Sequence, residues 1–294
     1  MAIKSFKTVE EQVEILRSRG LAICDVDKAK DFLLHNNYYR ISGYSLTLRK
    51  DDIFFKSASF QNIIDIYNFD REFRHIILEY IEIIEVHIKS IFAYEFVKVH
   101  GSTGYLNDSF FTDKNKHKEI IDKANTQRKL RLQHEAYLKH FTINDVNQDI
   151  PFWAYVDLLT ISDISFLYSI SEKNIQDSVA HSFGLTMNRG ADILGRYLHS
   201  MTIIRNLCAH GSRIYNRLFE HKPSLNKREK ALLIKNSKGE IDNSHFYGFL
   251  LVMRRLLPYD EFCKMKQKIV VVSAKYPFVR MDYCGFRNDW QEKL

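Results

Sequence analysis

The feature that most constrains the fold is a stripe of isoleucines between residues 77 and 91. These apolar residues recur at intervals of four and three positions: Ile77, Ile81, Ile84, Ile88 and Ile91. Such spacing places them on one face of an α-helix, because the helix completes a turn in about 3.6 residues. Ser59 stands ahead of the segment as a candidate N-cap. We therefore predict one long helix over about residues 60–99, with an apolar face for the core.

Shorter helical patterns cover most of the rest of the chain. Thr8 and Glu11 have the spacing of a capping box before the first helix, and Asp25 or Asp27 is a candidate cap for the second. Pro151 begins a later helix, since proline is tolerated in the first turn. Further helices are predicted over about residues 113–140, 163–170, 173–183, 189–210, 244–257 and 259–270.

Residues that favour tight turns are scarce, and this is the second constraint on the architecture. The 294 residues include 11 Gly and 4 Pro, too few for a many-stranded sandwich or barrel. Residues 37–58 are irregular or a small hairpin and are the only plausible β segment. We predict an all-α helical bundle with a short irregular or β-hairpin N-terminal segment. The polar stretch 221–243 is a candidate boundary between a domain over 1–222 and a C-terminal helical extension over 223–294.

Cysteine, hydropathy and motif patterns exclude several classes of protein. The 4 Cys lie far apart and form no C-x-x-C pair, which is typical of a chain in a reducing cytosol. The first residues lack the apolar core of a signal peptide, and no apolar run reaches about 18 residues. We expect a soluble, cytoplasmic protein without membrane contact. Because the sequence has no H-E-x-x-H, G-x-x-x-x-G-K-[ST] or G-x-G-x-x-G motif, we expect neither a catalytic metal nor a cofactor.

The charge is mildly basic and unevenly distributed. Lys and Arg number 43 against 36 Asp and Glu, a formal net charge of +7. The excess is concentrated in residues 114–139 and 222–238, which together fit the footprint of a nucleic acid. Lys129 and Arg131 in the first run are candidate RNA contacts. Each run also fits an ordinary solvated helix face, so the charge alone identifies no partner.

A polar stripe follows the helix that is predicted from residue 189, and its pattern continues to about residue 217. At about 100° per residue, Asn206 and five other polar side chains fall on one stripe, which extends about 40° to either side of Asn206. They are His199, Thr202, Asn206, His210, Arg213 and Arg217. Histidine exchanges protons near neutral pH and arginine matches phosphate oxygens, so this surface suits a phosphodiester. Solvent exposure without function is the alternative interpretation.

Arg205 lies off this stripe. On a straight helix its side chain points about 140° away from that of His210. Either the long guanidinium arm folds round, or the helix changes course at Gly211.

Two further surfaces carry similar residues. Along the long helix, the polar positions are Arg71, His75, Glu82 and Lys89, flanked by Glu79 and Glu85. Near the N-terminus, an aromatic cluster consists of Tyr38, Tyr39, Arg40 and Tyr44. These rings either stack single-stranded bases or close the N-terminal segment over the bundle.

The hexapeptide from Arg205 to His210 reads R-N-x-x-x-H, and it resembles the catalytic motif of HEPN ribonucleases. The surrounding sequence looks like the successive blocks of Abi-type abortive-infection proteins. The blocks are 37–44 (NYYRISGY), 67–74 (YNFDREFR), 81–85 (IEIIE), 151–168 (PFWAYVDLLTISDISFLY) and 203–217 (IIRNLCAHGSRIYNR). The resemblance as a whole covers about residues 8–223. The resemblance implies a helical HEPN fold, a homodimer, metal-independent RNA cleavage and a role in phage defence or in a toxin–antitoxin system.

Residue by residue, the resemblance implies that Arg205 and His210 are the catalytic pair and that Asn206 is the polar residue within the motif. It also implies an acidic residue on an earlier helix that orients the motif arginine. Glu82 and Glu85 are the candidates, and the sequence does not choose between them. Where many relatives have a second histidine and a tryptophan, this chain has Gly211 and Tyr215. A cognate antitoxin RNA or protein is a further partner that the sequence leaves open.

The expected reaction uses the nucleophile that RNA itself carries, the ribose 2′-OH. His210 would act as general base or acid, and Arg205 would hold the phosphate and stabilise its developing charge. Because each chain supplies one motif histidine and the reaction benefits from two proton-transfer groups, we expect a homodimer. Two alternatives stay open: a helical protein that binds RNA, such as a cognate small RNA, through its basic runs without cleaving it, and a structural protein with an accidental motif.

Overall fold

The computed structural model describes residues 5–143 and 146–294. These residues form fourteen α-helices and two short antiparallel strand pairs, which confirms the all-α prediction. The helices are α1 Val9–Ser18, α2 Val26–Asn36, α3 Tyr38–Tyr44, α4 Phe60–His100, α5 Lys114–Arg131, α6 Ala136–His140, α7 Phe152–Tyr155, α8 Ile161–Ile170, α9 Lys173–Ser182, α10 Gly190–Ala209, α11 Lys227–Lys230, α12 Tyr247–Leu256, α13 Tyr259–Lys275 and α14 Trp290–Lys293. The strands are β1 Arg49–Lys50 with β2 Ile53–Phe54, and β3 Thr142–Ile143 with β4 Val146–Asn147.

The predicted long helix is α4, which has 41 residues and is therefore about 60 Å long. Ser59 caps it in a reciprocal pair of hydrogen bonds with Asn62. The isoleucine stripe faces the core, because four of its five members are fully buried and Ile91 is half-buried. Helix α4 contacts α7, α8, α9, α10, α12 and α13, so it is the central element of the bundle.

The local signals at the N-termini of the helices are largely confirmed. Thr8 and Glu11 form the capping box of α1, and Asp25 rather than Asp27 caps α2. Pro151 precedes α7 as its N-cap, one position earlier than predicted. Residues 37–58 contain the short helix α3 as well as the β1–β2 hairpin, but they are not the only β segment, because the β3–β4 pair lies outside them. No helix within the described ranges combines the length and the apolar character that crossing a membrane requires.

The C-terminal helices share the core of the preceding residues. Phe246 is fully buried, with its ring 5.0 Å from that of Phe73 in α4. Phe286 approaches the same ring at 6.2 Å. On the surface, Lys268 and Lys275 of α13 form ion pairs with acidic residues of α4. The boundary predicted near residue 222 therefore does not coincide with a break in the hydrophobic core.

Replacing Phe246 with alanine tests this shared core. Because the ring is buried against α4, Phe246→Ala should lower the free energy of unfolding by about 3–5 kcal/mol in urea titrations. Val271→Ala, at a position of α13 that is 66% exposed, should change it by less than about 0.5 kcal/mol. A separate, unchanged transition for residues 1–222 would show that the two parts fold independently.

Candidate active site

The R-N-x-x-x-H motif lies at the C-terminal end of α10. Arg205 and Asn206 belong to its last two turns, and His210 is the C-cap residue. The side chains of Asn206 and His210 are exposed, and Arg205 is half-buried. The Arg205 guanidinium donates a hydrogen bond from Nη1 to Oδ1 of Asn206 at 3.4 Å. All three motif residues thus lie at the same end of one helix, where Asn206 and His210 are open to solvent.

The helix ends at Ala209, and the predicted continuation of its polar stripe to residue 217 is wrong. Gly211 adopts φ +65°, a left-handed conformation that glycine accepts at little cost. The amide of Ser212 donates to Leu207 O at 2.8 Å, and that of Gly211 donates to Cys208 O at 3.0 Å. These two bonds are the Schellman pattern that closes many helices. The chain therefore changes course at Gly211, one position after the motif ends.

A buried carboxylate holds the loop after the motif. Asp70 of α4 is 0% exposed. Its Oδ1 accepts hydrogen bonds from the backbone amides of Ile214 at 2.9 Å and Tyr215 at 2.7 Å. Its Oδ2 accepts from the hydroxyl of Tyr44 at 2.8 Å and from Nε of Arg74 at 3.1 Å. Four donors thus satisfy this carboxylate, and they attach residues 214 and 215 to α3 and α4.

Burial also determines the ionisation state of two groups near Asp70, the Tyr44 hydroxyl and the Cys208 thiol. Burial, and then the adjacent Asp70 charge, raise the pKa of Tyr44 far above its ordinary value, so its hydroxyl stays a donor to Asp70. Burial also raises the pKa of the Cys208 thiol well above its ordinary value. Because the thiolate is the reactive form of cysteine, Cys208 inside the motif is a packing residue rather than a nucleophile.

The two arginines that follow the motif do not continue its stripe. Arg213 turns inward and donates from Nη1 to Tyr215 O at 2.6 Å and to Asn216 O at 3.0 Å. Burial lowers the pKa of its guanidinium. Arg217 is half-buried, with its guanidinium 5.7 Å from the ring centre of Phe219. Both were predicted RNA contacts, and the structure gives Arg213 in particular a role in shaping the loop.

Neither of the predicted supporting acids reaches Arg205. Glu82 is exposed on α4, and Glu85 forms an ion pair with Lys89 at 2.8 Å. In residues 5–143 and 146–294, Asn206 is the only side-chain hydrogen-bond partner of Arg205. The acid that fixes the motif region is Asp70, and it acts on the backbone instead of the arginine. In the sequence, Asp70 is recognisable as an acidic residue on the apolar face of α4, four positions before the oppositely charged Arg74.

The predicted polar surfaces divide into structural and exposed residues. In the first basic run, Arg128 is buried and donates to two backbone carbonyls, while Lys129 is exposed. Arg131 is exposed and donates to Asp157 O at 3.3 Å. In the aromatic cluster, Tyr44 is buried, Tyr38 is half-buried and Tyr39 is 69% exposed. On the α10 stripe, His199 is exposed, with its ring 4.7 Å from that of His221.

Comparison with known families identifies the chain. A family model described as Abi-like protein matches residues 31–216. The chain belongs to the Abi-like protein family. No curated protein matches it, and no solved structure matches it. The matched span runs from α2 through α10 to the loop that Asp70 holds, and the family indicates a role in abortive-infection defence.

Removing the Asp70 carboxylate tests its role in fixing this region. Asp70→Ala leaves Arg74 buried without a counter-charge and two backbone amides without acceptors. The free energy of unfolding should fall by about 3–5 kcal/mol, measured by urea titration. Glu82→Ala is the matched control on the exposed face of α4 and should change it by less than about 0.5 kcal/mol. Equal effects of the two substitutions would contradict the assignment.

Proposed function

We propose that this Abi-like protein is a metal-independent endoribonuclease of the HEPN type that acts in abortive infection or in a toxin–antitoxin system. The observation that carries the proposal is the placement of Arg205, Asn206 and His210 at one exposed helix end. An imidazole, a guanidinium and an amide at one helix end suit a phosphodiester substrate. The buried Asp70 keeps the adjoining loop in place, as a preorganised site requires.

The proposed reaction is attack of the ribose 2′-oxygen on the adjacent phosphorus. A bond forms between the 2′-oxygen and phosphorus, the bond to the 5′-oxygen breaks, and the products are a 2′,3′-cyclic phosphate and a 5′-OH. His210 takes the proton from the 2′-OH or gives one to the leaving 5′-oxygen. Arg205 stabilises the charge on the non-bridging oxygens. The hydrogen bond from Arg205 to Asn206 supports a role for the amide in orienting the guanidinium.

Substituting the motif residues tests the activity. In a buffer with EDTA, His210→Ala and Arg205→Ala should each lower kcat/KM for cleavage of single-stranded RNA by at least about 100-fold. His181→Ala, at an exposed position of α9, is the matched control and should cleave at the wild-type rate. A single 2′-deoxy nucleotide at the cleaved position should block the reaction, because it removes the nucleophile.

Two outcomes would refute this assignment. The first is His210→Ala protein that cleaves RNA as fast as the wild type. The second is activity that EDTA abolishes and Mg²⁺ restores, which would overturn the metal-independent chemistry. Growth arrest on expression that disappears with His210→Ala would link the same residue to the biological effect.

We also propose that the active form is a homodimer with both motifs at one cleft. Each chain offers one motif histidine, whereas the reaction uses both a proton acceptor and a proton donor. Cleavage per chain should therefore fall on dilution, at the concentration where light scattering detects dissociation into monomers. Constant activity per chain across that range would show that a single chain is sufficient.

The alternative function is RNA binding without cleavage, and the basic runs favour it. Exposed Lys129 on α5 and exposed lysines within residues 222–238 offer contacts for a structured RNA, such as a cognate antitoxin RNA. Both functions predict an affinity that falls steeply with salt, because counterions are released on binding. They differ in turnover: a binding protein retains intact RNA in the EDTA assay, with the wild-type and His210→Ala proteins indistinguishable.

A further inference from the structure

We propose that Arg40 and Arg74 form a second phosphate-binding site beside His210, which holds a phosphate of the RNA strand next to the one that is cleaved. The ligand class rests on the proposed function, but the site itself is derived from contacts that do not involve cleavage. Neither arginine belongs to the R-N-x-x-x-H motif. They come from α3 and α4, elements distant in sequence from α10.

The two guanidinium groups meet at the residue that follows His210. Arg40 donates from Nη2 to the carbonyl oxygen of Gly211. A β-carbon at Gly211 would lie 3.4 Å from that same Arg40 nitrogen and 3.5 Å from Nη1 of Arg74. Because both distances are measured from one point, the two cations are close neighbours. Since Gly211 has no side chain, no β-carbon occupies the point that the two guanidinium groups flank.

The two charges of this pair share a single carboxylate, the one that contacts Arg74. Within the part of the chain that the structure describes, Arg40 has no ion pair, and its guanidinium lies 5.6 Å from the ring centre of Tyr67. Arg74 has one carboxylate partner, Asp70, which it contacts through Nε. Adjacent guanidinium groups repel each other, and an anion placed between them removes that cost. Their planar arrays of N–H donors match the oxygens of a phosphate.

A ligand reaches this pair chiefly through Arg40, because the Arg74 side chain is only 5% exposed. Arg40 is half-buried. The hydrogen bond to Asp70 occupies Nε of Arg74, so its terminal nitrogens remain for another acceptor. Within the described residues, some buried side-chain atoms have neither a hydrogen-bond partner nor contact with solvent. The two terminal nitrogens of Arg74 are not among these atoms. Asp70 thus both fixes the loop and orients Arg74, with its terminal nitrogens beside Gly211.

Arg40→Gln tests the site, because replacing Arg74 would leave the buried Asp70 without its counter-charge. The probe is a fluorescent mixed-sequence 20-nucleotide RNA that is 2′-O-methylated throughout, which keeps the phosphates and cannot be cleaved. Arg40→Gln should raise its Kd about 10-fold and reduce the slope of log Kd against log salt by about one. Arg189→Gln, at the opposite end of α10, is the matched control and should leave both quantities unchanged. An unchanged Kd and slope for Arg40→Gln protein with native circular dichroism would overturn the proposal.

A second measurement uses the wild-type protein, so it does not depend on the folding of a variant. Inorganic pyrophosphate is titrated while the Nε–Hε signals of the arginines are followed by NMR. The signals of Arg40 and Arg74 should shift at the lowest concentrations. Shifts confined to other arginines would overturn the proposal.

Failure of this site and failure of the proposed function give different results. If Arg40 contributes to binding and no RNA is cleaved, the endoribonuclease function fails and the phosphate site stands. If RNA is cleaved and Arg40→Gln changes neither Kd nor kcat/KM, the site fails alone.

Discussion

The Asp70 carboxylate is fully removed from water, and its four hydrogen bonds come from three separate parts of the chain. A buried charge is costly unless it is paired and hydrogen-bonded, so these partners cannot separate without a large loss of stability. Tyr44 belongs to α3, Arg74 to α4, and the amides of Ile214 and Tyr215 to the loop after α10. The carboxylate therefore sets where α10 ends relative to the centre of the bundle.

This constraint explains how an exposed site can also be well defined. His210 is solvent-accessible, as the proposed RNA cleavage requires, and exposed side chains gain little positional order from packing. Order comes instead from the backbone on either side of it. Helix α10 precedes His210, and the Schellman hydrogen bonds and the Asp70 contacts follow it. The motif thus has a rigid support beneath side chains that remain free to contact a substrate.

The sequence predicts those features that depend on local periodicity and capping. The isoleucine stripe predicts α4, and Thr8 with Glu11 predicts the start of α1, because these signals act within one or two helical turns. The polar stripe fails beyond Ala209, because the course of the loop depends on Asp70, 144 residues away from Ile214. The resemblance likewise offers Glu82 and Glu85 as candidate acids, whereas Asp70 lies on the buried face of α4 and pairs with residues distant in sequence. Long-range pairing leaves no periodic trace in a single sequence.

Residues outside the matched family region also support the candidate site, because they share the hydrophobic core of that region. Residues 31–216 contain the motif, Asp70 and both arginines of the second phosphate site. Phe73 of α4 also belongs to this region, but its ring is covered by Phe246 and Phe286, which lie outside the region. Asp70 lies three residues before Phe73, and the ring of its neighbour Phe69 is 6.2 Å from that of Tyr276, so residues beyond the matched region also cover this part of α4. A buried charge network is strongest where water is absent. The C-terminal helices are therefore part of the structural basis of the site, although they contribute no motif residue.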